Sequence, residues 1–123
     1  MSDTTFKYPM LGELQEAGAD IKNAVARMMD NEELVNKFLL GFPDPMRLET
    51  IKAAVNSRDL KVLEEAVHKI KGTAGNLGLT ALYAVASDFT NHVRSKRTEC
   101  FAVDFEKLSV EYTKMSSIIE QYL

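Results

Sequence analysis

The chain has 123 residues, 46% of them hydrophobic and 27% charged, with a formal net charge of -3 at pH 7. That length supports one domain with a buried core and is too short for two, and the composition excludes a chain too polar to collapse. The 15 lysines and arginines are scattered rather than gathered into a stripe that could neutralise a row of phosphates, so nucleic acid is not an expected partner.

The first ten residues, MSDTTFKYPM, have neither the basic start nor the apolar run of a signal peptide, and no later run approaches membrane-spanning length. The expectation is a cytoplasmic chain with no membrane partner. Residues 1–10 are expected to be loosely held, and 11–123 to form a single helical domain. All three prolines fall in the first 45 residues, and alternation of period two is scarce. Both features point to an all-α fold.

In chain order, Ile21, Val25 and Met28 mark a short helix. Asp30 with Glu33 gives a capping-box-like start for a second, bearing Leu34, Phe38 and Leu39. Asp44-Pro45 combines a capping side chain with a residue whose φ is already helical, and predicts a helix carrying Leu48, Ile51 and Val55 to about Asn56.

Leu60, Leu63, Val67, Ile70, Ala74 and Leu77 then recur at spacings of three and four, the apolar stripe of a helix over 59–76. A second stripe runs through Leu79, Leu82, Ala86, Phe89 and Val93. A third runs through Phe101, Phe105, Leu108, Tyr112, Met115, Ile119 and Tyr122. Connections as short as Asn56-Ser57-Arg58 and Asn76-Leu77-Gly78 make successive helices antiparallel neighbours. The predicted architecture is an antiparallel up-and-down four-helix bundle with short additional N-terminal helices over one end.

The single cysteine, Cys100, cannot close an internal disulfide and has no CxxC or His/Cys ligand set around it. It reads as a small half-buried residue near a loop. Neither a metal nor a cofactor is expected: a cofactor-binding bundle needs inward-facing Glu and Glu-x-x-His ligands, and the core stripes carry none. A Ser/His/Asp set, a P-loop and paired catalytic carboxylates are likewise missing from the sequence, which argues against an enzyme acting alone.

The segment that calls for an explanation is HKIKGTAGNLG, residues 68–78. At roughly 100° per residue, His68 lies off the core seam on the boundary with solvent. Glu64, Glu65, Lys71, Gly72 and Gly75 are its neighbours one and two turns away. Each glycine in an exposed helix interior costs about 1 kcal/mol relative to alanine. The two together bare the surface beside the imidazole, so that another molecule can bring its backbone close to the ring. Lys71 offers a cation to balance an anion placed there. The competing reading is a plain surface histidine, with Gly72 or Gly75 serving the approach of a neighbouring helix.

His68-Lys69-Ile70-Lys71-Gly72-Thr73-Ala74, followed by Leu77-Gly78, resembles the signature of histidine-containing phosphotransfer (HPt) domains. The order of elements is similar too, with short helices and a Phe-rich stretch, Phe38 to Phe42, before the motif helix. The resemblance covers residues from about 18 to 123. It implies a phosphorelay intermediate rather than an enzyme. His68 would take a phosphoryl group from the aspartate of a response-regulator receiver domain and pass it to another receiver. Histidine's ordinary pKa of about 6.5 leaves much of the imidazole neutral and nucleophilic at cellular pH.

The resemblance also implies that the partner receiver brings the divalent metal and most of the catalytic groups. Lys71 would compensate phosphate charge, and Gly72, Lys69, Gly75, Glu64 and Glu65 would dock the partner. Family members often carry Gln or Glu twenty-two residues after the histidine to hold its ring. Here that position is Thr90, and Arg94 lies one turn further on, opposite Glu64. Thr90 is expected to orient the ring weakly, and Arg94 either to contact phosphate or, the preferred reading, to pair with Glu64. His92, away from this surface, reads as a solvated helix residue. Expected partners are receiver domains and a hybrid sensor histidine kinase, with a monomeric chain. Met1 at the start favours a free-standing relay protein over an excised piece of a hybrid kinase. The alternative is a helical adaptor that binds receiver or kinase domains without phosphotransfer.

Overall fold

A computed structural model describes residues 6–123 and is helical throughout, with no strand among the described residues. Three short helices come first: α1 (Pro9–Glu16), α2 (Ile21–Arg27) and α3 (Glu32–Leu40). Four longer ones follow: α4 (Pro45–Ser57), α5 (Leu60–Asn76), α6 (Thr80–Arg94) and α7 (Phe101–Glu120).

Short polar side chains set most of the starts. Asp20, Asn31, Asp44 and Asp59 each accept a hydrogen bond from a backbone N–H in the first turn of α2, α3, α4 and α5, at 3.3, 3.0, 3.0 and 3.2 Å. Each α-helix begins with N–H groups that lack an intrahelical partner, and these caps satisfy one of them.

The cap of α3 is Asn31, one residue after the expected Asp30. Met29 and Asp30 both take left-handed backbone (φ 58 and 60), and the Asp30 N–H closes back on the Val25 carbonyl at 2.9 Å. Asp30 therefore belongs to the end of α2. The apolar face of α3 is rotated accordingly: Val35 and Leu39 are buried while Phe38 is 48% exposed.

The longer helices follow the stripes closely. Leu63, Val67, Ile70 and Ala74 of α5 are buried, as are Leu82, Ala86, Phe89 and Val93 of α6 and Leu108, Tyr112, Met115 and Ile119 of α7. Burying side chains of the Leu, Val, Ile and Phe type stabilises by about 1.5–3 kcal/mol each. These rows therefore outweigh any local preference in fixing the fold. In α4 the buried residues are Ile51 and Ala54, with Leu48 and Val55 half-buried. The third stripe frays at its ends, where Phe105 is half-buried and Tyr122 reaches solvent, its hydroxyl donating to Glu13 at 2.6 Å. Successive long helices pack on one another, and α4 also packs on α7.

A helix the sequence reading did not anticipate, α1, begins at Pro9, within the last two residues of the segment expected to be loose, and continues into the domain. Met10, Leu11 and Leu14 of α1 are buried in the common core, and α1 packs on α2 and α7. Residues 1–5 of that segment lie outside the described residues. The Phe-rich stretch also finds a place: the Phe42 and Tyr112 ring centroids are 4.8 Å apart. The Tyr112 hydroxyl accepts from the Asp44 N–H at 3.1 Å and directs its proton at the Phe42 and Asp44 carbonyls, each 3.2 Å away. Burial holds this phenol above its ordinary pKa, which keeps the proton on the ring oxygen.

One turn fixes how α5, α6 and α2 meet. Gly78 has φ +75, and its carbonyl accepts from the Asp20 N–H at 2.7 Å. A Cβ on residue 78 would stand 2.3 Å from the Asp20 carbonyl oxygen. Only glycine meets both demands. Gly78→Ala should therefore lower the unfolding free energy by about 2–4 kcal/mol, combining left-handed strain with backbone displacement. Urea denaturation followed by circular dichroism measures it, and a loss below about 0.5 kcal/mol would contradict the contact.

Candidate functional site

His68 lies on α5 one residue past the buried Val67, and its side chain is exposed. It forms a ridge between two grooves. One is lined by Val62, Glu65, Ala66 and Lys69 of α5 together with Asp44 and Arg47 at the start of α4. The other, of about 660 Å³, is lined by Lys71, Gly72 and Gly75 of α5, by Asn23 and Arg27 of α2, and by Tyr83 of α6. Both grooves open to solvent.

The two glycines have separate reasons. At Gly72 a Cβ would meet no atom within 4 Å. Nothing among the described residues demands glycine there, and the bare surface is exposed on the groove that the imidazole also lines. At Gly75 a Cβ would come 3.2 Å from two ring atoms of Tyr83. That glycine admits the aromatic ring of the following helix. The same ring carries Lys71, whose Nζ lies 6.0 Å from its centroid, a cation–π distance. Tyr83 thus steers the lysine, a role the sequence reading did not assign. The signal was available, because residues 75 and 83 are mirror positions about the turn at 77–79.

The mirror register holds further along. Arg94 Nε donates to Glu64 Oε2 at 2.7 Å, so the ion-pair reading of Arg94 is the one the geometry favours. Both side chains are substantially exposed, and the pair contributes at most about 1 kcal/mol. Thr90 faces α5 in the same register but does not hold the ring. It is fully buried, and its hydroxyl donates to the Ala86 carbonyl one turn back at 2.8 Å. It makes no hydrogen bond to His68. The rotation of α6 that buries Ala86, Phe89 and Val93 also turns Thr90 inward, where its own helix supplies the acceptor.

His92 departs from the solvated reading. Its Nδ1 lies 2.7 Å from Oδ2 of Asp104, and the Asp104 side chain is buried. This hydrogen bond ties α6 to α7 across the turn at 95–100, on a different part of the bundle from the two grooves. Cys100 is a free, half-buried cysteine, as expected. Among the described residues no group of three or more His, Cys, Asp or Glu could hold a metal ion. No described helix is long and apolar enough to cross a membrane.

A protein-family model described as the Hpt domain matches residues 44–120, well over half of the chain. No curated protein and no solved structure matches it. The matched span opens at the cap of α4 and takes in both grooves except for the wall supplied by α2.

The open space at Gly72 predicts that the glycine lowers the stability of α5. Gly72→Ala should raise the unfolding free energy by up to about 1 kcal/mol through helix propensity alone. Gly75→Ala should gain less, because the Tyr83 ring must first give way by a few tenths of an ångström. Paired urea titrations of the two variants give the order, and a stability loss at Gly72→Ala would contradict it.

Proposed function

The chain belongs to the Hpt domain family, and on that premise we propose that it is a phosphorelay intermediate that carries a phosphoryl group on His68 between receiver domains. The reading assigns the chemistry to an antiparallel up-and-down bundle of α4 to α7, with α1 to α3 packed against it. The observation that carries it is the exposed imidazole beside a glycine that no internal contact requires.

In the forward step a neutral imidazole nitrogen of His68 attacks the phosphorus of a receiver's aspartyl phosphate. The N–P bond forms as the P–O bond to the aspartate breaks, and the carboxylate leaves with the electron pair. The proton on the other ring nitrogen is free to pass to solvent. Transfer to a second receiver reverses these bond changes. Such transfer depends on in-line placement and charge compensation more than on covalent help from the carrier. Lys71, steered by Tyr83, supplies the compensation on this side.

The partner surface has three parts in this reading. Gly72 gives the close approach, and Gly75 contributes by seating Tyr83. Lys69 and Glu65, beside Val62 and Ala66 in the first groove, add charge and apolar contact. Glu64, tied to Arg94, closes the rim. This mixed surface suits a transient complex with receiver domains, including that of a hybrid sensor kinase. A monomeric chain in the cytoplasm fits the same proposal.

Three variants test the assignment against a phosphorylated receiver. His68→Gln should take up no label. Gly72→Gln should slow transfer at least tenfold, a barrier increase of about 1.4 kcal/mol, with a fold at least as stable as the wild type's. Thr90→Ala should transfer at the wild-type rate while losing about 1 kcal/mol of stability. Transfer that survives His68→Gln would sink the relay and favour an adaptor.

A further inference from the structure

We propose that Arg27, at the end of α2, is a second cation for the phosphoryl group on His68, a positioning role that rests on His68 being the phosphoacceptor. Arg27 precedes the histidine by more than forty residues and lies outside the span matched by the family model. The fold nevertheless places it on the wall of the groove that His68, Lys71 and Gly72 line. α2 is held there by the hydrogen bond from the Asp20 N–H to the Gly78 carbonyl.

The charges in the groove support the role. Phosphorylation adds nearly two negative charges to the ring. The groove contains two cations, Lys71 and Arg27, and one carboxylate, Asp20. That carboxylate accepts from the Asn23 N–H at 3.3 Å as the cap of α2. Arg27 pairs with no acidic side chain among the described residues. Arg94 is committed to Glu64, and Arg47, on the other groove that His68 lines, lies 3.9 Å from Asp44 Oδ2. A guanidinium presents a planar fork that suits two phosphoryl oxygens at once, whereas the Lys71 ammonium acts as a point charge. Gly72 lies on the same groove, and a Cβ there would meet no described atom within 4 Å. The competing role for Arg27 is complementing the dipole at the C-terminal end of α2. That role affects folding and leaves the chemistry of the ring alone.

Phosphoramidate separates these roles because it phosphorylates histidine without a receiver. The unprotonated ring nitrogen forms the N–P bond as the P–N bond of the donor breaks. Ammonia leaves with the electron pair, and the other ring N–H proton passes to solvent. The experiment follows the phosphohistidine signal of the full chain by phosphorus NMR in wild type, Arg27→Gln and Arg27→Lys, with thermal melts alongside. Arg27→Gln should slow phosphorylation about five- to tenfold, the scale of one charge-assisted hydrogen bond at a partly exposed site, and Arg27→Lys should recover part of it. Raised salt should narrow the difference.

Wild-type kinetics in Arg27→Gln, with or without a lower melting temperature, would overturn the proposal. So would an effect seen with a receiver but not with phosphoramidate, which would make Arg27 a docking contact. A wild-type protein that phosphoramidate leaves unlabelled would equally count against it. A protein labelled on His68 by phosphoramidate but by no receiver would sink the relay reading and leave the Arg27 comparison intact.

Discussion

The contact between Gly78 and Asp20 is the constraint on which the rest of the site depends. With φ at +75 and its carbonyl 2.7 Å from the Asp20 N–H, Gly78 both reverses the chain between α5 and α6 and seats the start of α2 against that reversal. The Thr80 hydroxyl adds a second tie, donating to the Gly18 carbonyl at 3.2 Å. The reversal sets a mirror register in which Glu64 meets Arg94 and Gly75 meets Tyr83. The tie to α2 brings Asn23 and Arg27 to the groove beside His68. A glycine at the end of the histidine segment therefore organises both sides of that groove from ten residues away.

Within α5 the requirements of folding and of chemistry fall on different faces. Leu63, Val67, Ile70 and Ala74 supply the buried row, so the opposite side is released from any packing role. That side carries His68, Lys69 and Gly72, and the absence of a side chain at 72 is a local loss of helix propensity which the buried row tolerates. In the proposed relay, rigid support under the exposed imidazole suits the transfer step, because the approaching phosphorus must meet a nitrogen already in place. With Thr90 turned into the core, its hydroxyl goes to the Ala86 carbonyl and makes no hydrogen bond to the ring from the facing helix.

The stripes over 60–77, 79–93 and 101–122 were legible because each repeats at three and four for several turns, and burial of such rows dominates the energetics. The histidine segment was legible through its motif and through the side of the helix it occupies. α1 was not. Its eight residues, PMLGELQE, include a proline and a glycine, and its burial depends on α2 and α7 rather than on its own pattern. The pairing of His92 with Asp104 depends on the path of the turn at 95–100, and a stripe on either helix alone does not reveal it. Thr90 shows a finer limit: the register about the 77–79 turn identified its partner helix, but the rotation of α6 decided where the hydroxyl points. Arg27 could be found only once the backbone contact at Gly78 had placed α2.

The most direct measurement is to map the phosphoryl group after transfer from a phosphorylated receiver, by phosphorus NMR and mass spectrometry of peptides under alkaline conditions that preserve phosphohistidine. An acid-labile N–P signal confined to the peptide containing His68, with His92 unmodified, is the predicted result. A phosphoryl group on any other residue, or none on the chain while the receiver loses its own, would contradict it.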